Sequence, residues 1–189
     1  MTKLQRYTII CIIFLAFLPL MYQFMCPCLT ASQIFSNHFV AQKFLVTHEG
    51  FRNNVSAPQS EEIMKQKALY YEAIEAYSKE EYASTILLFE RYLNQVPNNR
   101  HEVSLYLGIA YLETAQLNAA KKEFQFLLEN GSIKKKQDAE WYLVLTLLKQ
   151  EDVKQVRTKL TKMLTQKTSH AYTEKARTLL EEIQQQYQS

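Results

Sequence analysis

Cys26-Pro27-Cys28 is the one place where two thiols stand close enough along the chain to act as a redox or metal pair. A closed thiolate metal site takes about four ligands, and no histidine lies close enough to complete one. His38, His48, His101 and His170 are dispersed, and none pairs with a cysteine or with another histidine. The plainer reading of Cys11, Cys26 and Cys28 is unpaired or lipid-modified thiols at a membrane edge. Thr8-Ile9-Ile10 before Cys11 and Met25-Cys26-Pro27 before Cys28 make poor lipoprotein cleavage motifs. From Leu29 onward there is no cysteine, so the rest of the chain has neither a disulfide nor a thiolate site.

Other chemistry is sparse. There is no H-E-x-x-H, no phosphate-binding glycine run and no G-x-S-x-G. The carboxylate pairs Glu61-Glu62 and Glu181-Glu182 are adjacent, so on a helix they diverge and are solvated rather than catalytic. Lys134-Lys135-Lys136 reads as a solvated basic loop, with contact to phosphate or lipid headgroups as the sharper alternative. Asn54-Val55-Ser56 and Asn130-Gly131-Ser132 fit the glycosylation sequon, which matters only in a eukaryotic secretory setting. A net charge of +3 without a basic face gives no nucleic-acid footprint. These residues predict a protein that is not an enzyme and has no cofactor, no metal and no nucleic-acid partner.

Three glycines, four prolines and no sustained apolar alternation exclude a β-sandwich or barrel. Lys3 and Arg6 precede residues 7–25, a run without charge that as a helix would span roughly 28 Å, close to a bilayer core. The next basic residue is Lys43, so the positive-inside bias puts residues 1–6 in the cytoplasm and the remainder outside. A cleaved signal peptide centred on residues 7–18 competes with this anchor, but the cuts after Ala31 or Ser32 would leave Leu29 or Thr30 where a small residue is preferred. Residues 26–59 form a juxtamembrane segment, with a short helix expected over 32–40. Phe35, Phe39, Phe44, Leu45 and Phe51 make it too apolar for a solvated linker, so part of it should lie against the domain or a partner.

From Ser60, which can cap a helix opened by Glu61-Glu62, the chain reads as an all-α domain. Helices are expected at 61–78, 81–95, 100–114, 117–129, 136–149, 153–165 and 172–186, separated by Pro97-Asn98-Asn99, Asn130-Gly131-Ser132 and Lys167-Thr168-Ser169. Tyr71, Tyr106 and Tyr142 correspond across helix pairs, as do Tyr82, Leu117 and Val153, and Phe89, Phe124 and Leu160. In the middle pair Leu107, Gly108 and Tyr111 meet Ala120 and Phe124, the small residues allowing two antiparallel helices to approach closely. This L-G-x2-Y then A-x3-F pattern resembles the tetratricopeptide (TPR) unit.

The resemblance covers residues 65–186. It implies a right-handed superhelix of three repeats, at about 66–100, 101–136 and 137–170, capped by helix 172–186 on Tyr172, Ala176, Leu179, Leu180 and Ile183. The first repeat has Ala73 in place of glycine. The third departs most, with Val144 for the glycine and Val156 for the alanine. YLGIAYL at 106–112 and AEWYLVLTLLK at 139–149 are similar to small membrane-anchored TPR proteins of the bacterial cell envelope.

By that register, the concave side presents Tyr70, Ile74 and Tyr77, then Leu105, Ile109 and Leu112, then Trp141, Leu145 and Leu148. Tyr70, Ile74, Leu105 and Ile109 stand where carboxylate-clamp TPR domains carry Lys and Asn, so a clamp is rejected. An apolar row suits an amphipathic helix or an extended apolar segment, while its bland reading is packing between neighbouring helices. Three functions stand as expectations. The first is an adaptor in the bacterial inner membrane that recruits a protein partner to a periplasmic TPR domain. The second is a structural envelope component whose groove is filled by its own juxtamembrane segment or by a second copy. The third is an envelope redox role for Cys26 and Cys28.

Overall fold

In the computed structural model, the described residues are 29–43, 61–166 and 169–187. The chain divides into two units, Met1–Thr30 and Ala31–Ser189. The described residues of the second unit hold eight α-helices and no strand: α1 Ala31–His38, α2 Glu61–Ser78, α3 Tyr82–Gln95, α4 Arg100–Glu113, α5 Leu117–Asn130, α6 Ile133–Lys149, α7 Val153–Thr165 and α8 Thr173–Gln186. None of them is long and apolar enough to cross a membrane. The apolar run 7–25, the three cysteines and the cap residue Ser60 lie outside the described residues.

Each helix from α2 to α8 lies against the next, and α1 lies on α6 and α8. The hairpins α2/α3, α4/α5 and α6/α7 close with one and the same turn. Glu80, Ala115 and Glu151, spaced 35 and 36 residues apart, each have a left-handed φ of 58–61°. Each is followed by a residue whose N–H reaches back five positions, Glu81 to Ala76, Gln116 to Tyr111 and Asp152 to Leu147, at 2.8–3.0 Å. With the accompanying bonds from Glu80 to Tyr77, Ala115 to Leu112 and Glu151 to Leu148, these are Schellman caps that satisfy the last carbonyls of the first helix. Glycine would be the unstrained residue at that position, and none of the three turns has it.

Gly108 on α4 is packed against Phe124 on α5. A Cβ there would lie 2.6 Å from Cε1 of Phe124, so the absent side chain is the space the ring fills. Ala120 and Phe124 are fully buried beside it. Glu123 is buried at the same contact. It accepts from Arg100 at 2.7 Å and from Ser104 at 2.8 Å, so its charge is both paired and hydrogen-bonded. Beneath α8, Ala176, Leu179 and Ile183 are buried, as expected of the capping helix, while Leu180 and Tyr172 are only half-buried.

The basic run at 134–136 departs from expectation: it is helix, not loop. Ser132 caps α6 by accepting from the Lys135 N–H, so the helix starts at Ile133, three residues earlier than predicted. A lysine opposes the helix dipole there, and Lys135 finds compensation outside its own helix. Its ammonium donates to Glu102 at 2.8 Å and to the His101 carbonyl at 3.0 Å on α4.

Candidate functional site

Residues 31–43 form a strap that lies on α6 and α8 and reaches Tyr77 at the end of α2. Its helical part, α1, buries Ala31, Ile34 and Phe35, a spacing that puts all three on one face. The Lys149 ammonium lies 4.7 Å from the centre of the Phe35 ring and also donates to the Leu112 carbonyl at 2.9 Å. This one cation ties strap, α6 and the end of α4 together. Phe39 stacks on Phe35 at 5.1 Å and meets Tyr142 edge-on at 6.2 Å. The other face of Tyr142 lies on Phe124, at 5.8 Å.

The end of α1 is latched to α8. His38 Nε2 is 3.0 Å from a Glu182 carboxylate oxygen, and its ring stands edge-on to Trp141 at 6.4 Å. Trp141 in turn stacks flat on Tyr172 at 5.3 Å, whose hydroxyl donates to the buried Asp138 at 2.8 Å.

Beyond His38 the strap is not helical, and two tyrosines hold it by its backbone. The Tyr142 hydroxyl donates to the Val40 carbonyl at 2.7 Å, and the Tyr77 hydroxyl donates to the Gln42 carbonyl at 2.8 Å. Tyr77 is itself braced by the rings of Tyr106 at 5.2 Å and Tyr82 at 5.9 Å. Burial pushes both hydroxyls well above the usual phenol range, with neighbouring phenols adding to the effect on Tyr77 and Asp138 to that on Tyr142. They are therefore neutral donors. Contacts to main-chain carbonyls hold a chain whatever its side chains are. A cavity of about 470 Å³ remains beside the end of the strap, lined by Val40, Gln42, Lys43, Tyr77, Glu80 and Tyr82 among others.

Of the nine groove residues expected from sequence, eight are buried. Ile109, Leu112, Leu145 and Leu148 have no accessible surface, and Ile74, Tyr77, Leu105 and Trp141 retain 8% or less. Tyr77 and Trp141 meet the strap directly. Tyr70 is turned into its own hairpin, 5.2 Å from the Tyr92 ring and 6.4 Å from Phe89. The strap-holding groups that the apolar row omits are Tyr142, Lys149, His38 and Glu182. Tyr142 carries a signal, being the third of the tyrosines that recur with the repeat. Glu182, a solvated carboxylate by its spacing alone, instead holds His38.

Among the described residues, no group of His, Cys, Asp and Glu is placed to hold a metal ion. Matched against protein-family models, curated proteins and solved structures, the chain shows similarity to none.

Proposed function

We propose that this protein is a membrane-anchored, TPR-type interaction scaffold of the bacterial cell envelope, whose concave groove is occupied by its own juxtamembrane segment. The observation that carries this reading is the seating of residues 31–43 across α6 and α8 and on to Tyr77, where an adaptor would otherwise hold a peptide. The repeated turns at Glu80, Ala115 and Glu151 and the close fit of Gly108 to Phe124 support the TPR assignment. The apolar run 7–25 supports the anchor, with the N-terminus cytoplasmic and the domain periplasmic.

A self-filled groove argues against simple peptide recruitment into it. An incoming segment has to displace the strap, so its apparent affinity falls by the fraction of time the strap is seated. Anchoring such a scaffold would raise the effective concentration of its partners at the membrane.

The test is photocrosslinking in intact cells, with the photoreactive residue at Val40, which is 65% exposed on the strap, and at Lys122 on α5 as control. The scaffold reading expects discrete adducts with another envelope protein from position 40 and not from 122. Adducts between identical chains would establish self-assembly instead. No adduct beyond the chain itself at either position would end the scaffold reading at this face.

A further inference from the structure

On the flank formed by α5, α6 and α7, away from the strap residues, lies a pocket of about 360 Å³ lined by Leu128, Lys136, Glu140, Lys159, Lys162 and His170, among others. Three lysines and a single carboxylate residue contribute to its lining. Burial holds the Lys159 ammonium below its usual range; repulsion from Lys162 and Lys121 acts in the same direction, and the pull of Glu140 opposes it. The positive charge is concentrated and incompletely neutralised.

His170 is the second, independent observation. Its side chain is 1% exposed. Its Nδ1 accepts from the Tyr172 N–H at 3.1 Å, so in the neutral ring the proton sits on Nε2, which is then a donor. That donor has no hydrogen-bond partner among the described residues. Glu140 Oε2 lies 3.4 Å from it, and Gln166 approaches that oxygen at only 3.5 Å. Charge-assisted bonds to a carboxylate close to about 2.7–2.9 Å. Glu140 therefore lies loosely against donors that suit a better acceptor. A buried donor left unpaired is costly, so the arrangement gains if an anion completes it.

We propose that this pocket binds a phosphate-class anion, held by Lys136, Lys159 and Lys162, with the Glu140 carboxylate as the internal stand-in that the anion displaces from His170. A phosphomonoester carries a charge of about −1.5 to −2 and three acceptor oxygens, which matches three point-charge ammoniums and one N–H better than a single carboxylate does. The same chemistry is offered by a soluble phosphate and by the phosphomonoester headgroup of phosphatidic acid. The inference does not depend on the scaffold reading, since it uses none of the strap contacts.

The experiment uses the full chain in nanodiscs of neutral phosphatidylcholine, titrated with inorganic phosphate against sodium chloride of equal ionic strength. The readout is the His170 Nε2 resonance. A second arm replaces part of the neutral lipid with phosphatidic acid, whose headgroup is an anionic phosphomonoester, without added phosphate. The expected result is a saturable shift in at least one arm: a response to free phosphate assigns a soluble ligand, and a response to the anionic lipid alone assigns a headgroup. In the responding arm, Lys159→Ala/Lys162→Ala should weaken binding by about tenfold or more, and Glu140→Gln should tighten it. Lys154→Ala, an equal charge change per site on an exposed position of the same helix that does not line the pocket, should leave it unchanged. A non-saturating response, a response equally weakened by Lys154→Ala, or weaker binding in Glu140→Gln would overturn the proposal. So would silence in both arms with the helical circular dichroism intact.

Discussion

The hydroxyl of Tyr142 donates a 2.7 Å hydrogen bond to the carbonyl of Val40, 102 residues earlier in the chain. Together with the bond from Tyr77 to Gln42, it fixes the non-helical end of the strap without reading any strap side chain. Removing the two hydroxyls as Tyr77→Phe/Tyr142→Phe should cost about 1 kcal/mol each. Strap opening should then be about thirtyfold more frequent. The amide of Phe39, bonded to the Phe35 carbonyl at 2.8 Å, reports this opening by hydrogen exchange. Exchange at the wild-type rate in the double variant would mean that Ile34 and Phe35 hold the strap alone.

Gly108→Ala should destabilise the fold. The new methyl would lie 2.6 Å from a carbon of the fully buried Phe124 ring, which itself is stacked on Tyr142. Overpacking of this kind costs about 1–3 kcal/mol, set against about 1 kcal/mol of helix propensity gained. The denaturation midpoint should fall at unchanged denaturant slope. A rise in the midpoint would show that the ring moves aside freely and that the close approach has no structural weight.

Ala115→Gly should do the opposite. Ala115 has φ of 58° at the C-terminal turn of α4, where a side chain is strained and glycine is not. Relief of that strain, less the extra freedom glycine has in the unfolded chain, should raise stability by about 0.5–1 kcal/mol. Glu80→Gly and Glu151→Gly occupy the equivalent turns and should behave alike. A loss of stability at all three, measured by urea unfolding, would contradict the cap geometry.

Alkaline pH should unfold the protein in step with phenol ionisation. Tyr70, Tyr77, Tyr111, Tyr142 and Tyr172 are all held well above the usual phenol value, burial being the largest cause for each. Their protons leave the unfolded chain near pH 10 but are kept in the native one. The stability linked to them is therefore complete below about pH 10 and is lost as pH rises beyond it, by about 1.4 kcal/mol per unit for each tyrosine. Phenolate absorbance and helical signal should change together above that pH. Gradual ionisation with the helices intact would mean that these hydroxyls reach solvent without unfolding.

Much of the helical layout was legible because the breakers are chemical. Pro97, the Asn130-Gly131-Ser132 run and the paired-helix spacing place most boundaries to within a residue. The start of α6 was not legible, because three consecutive lysines are unfavourable at a helix N-terminus and only the distant Glu102 makes Lys135 acceptable there. The periodic stripe located Ile109, Leu145 and Trp141 on inward faces, yet a period states which face is covered and not by what. The covering strap was visible only as an excess of phenylalanines. The burial of His170 left no trace in the pattern, since it arises in the connection between α7 and α8, where no periodicity operates.

A stack of helical hairpins is ordinarily a local object, in which each unit touches its neighbours and the chain can assemble as it emerges. The latch from His38 to Glu182 joins positions 144 residues apart. At a synthesis rate of about 5–20 residues per second, α1 leaves the ribosome roughly 7–29 s before the helix it latches onto has been made. For much of that interval Ile34 and Phe35 wait for α6, and His38 waits for α8. Completion of the last helix is thus the event that closes the molecule, and a chain truncated before α8 would expose at its beginning what it lacks at its end.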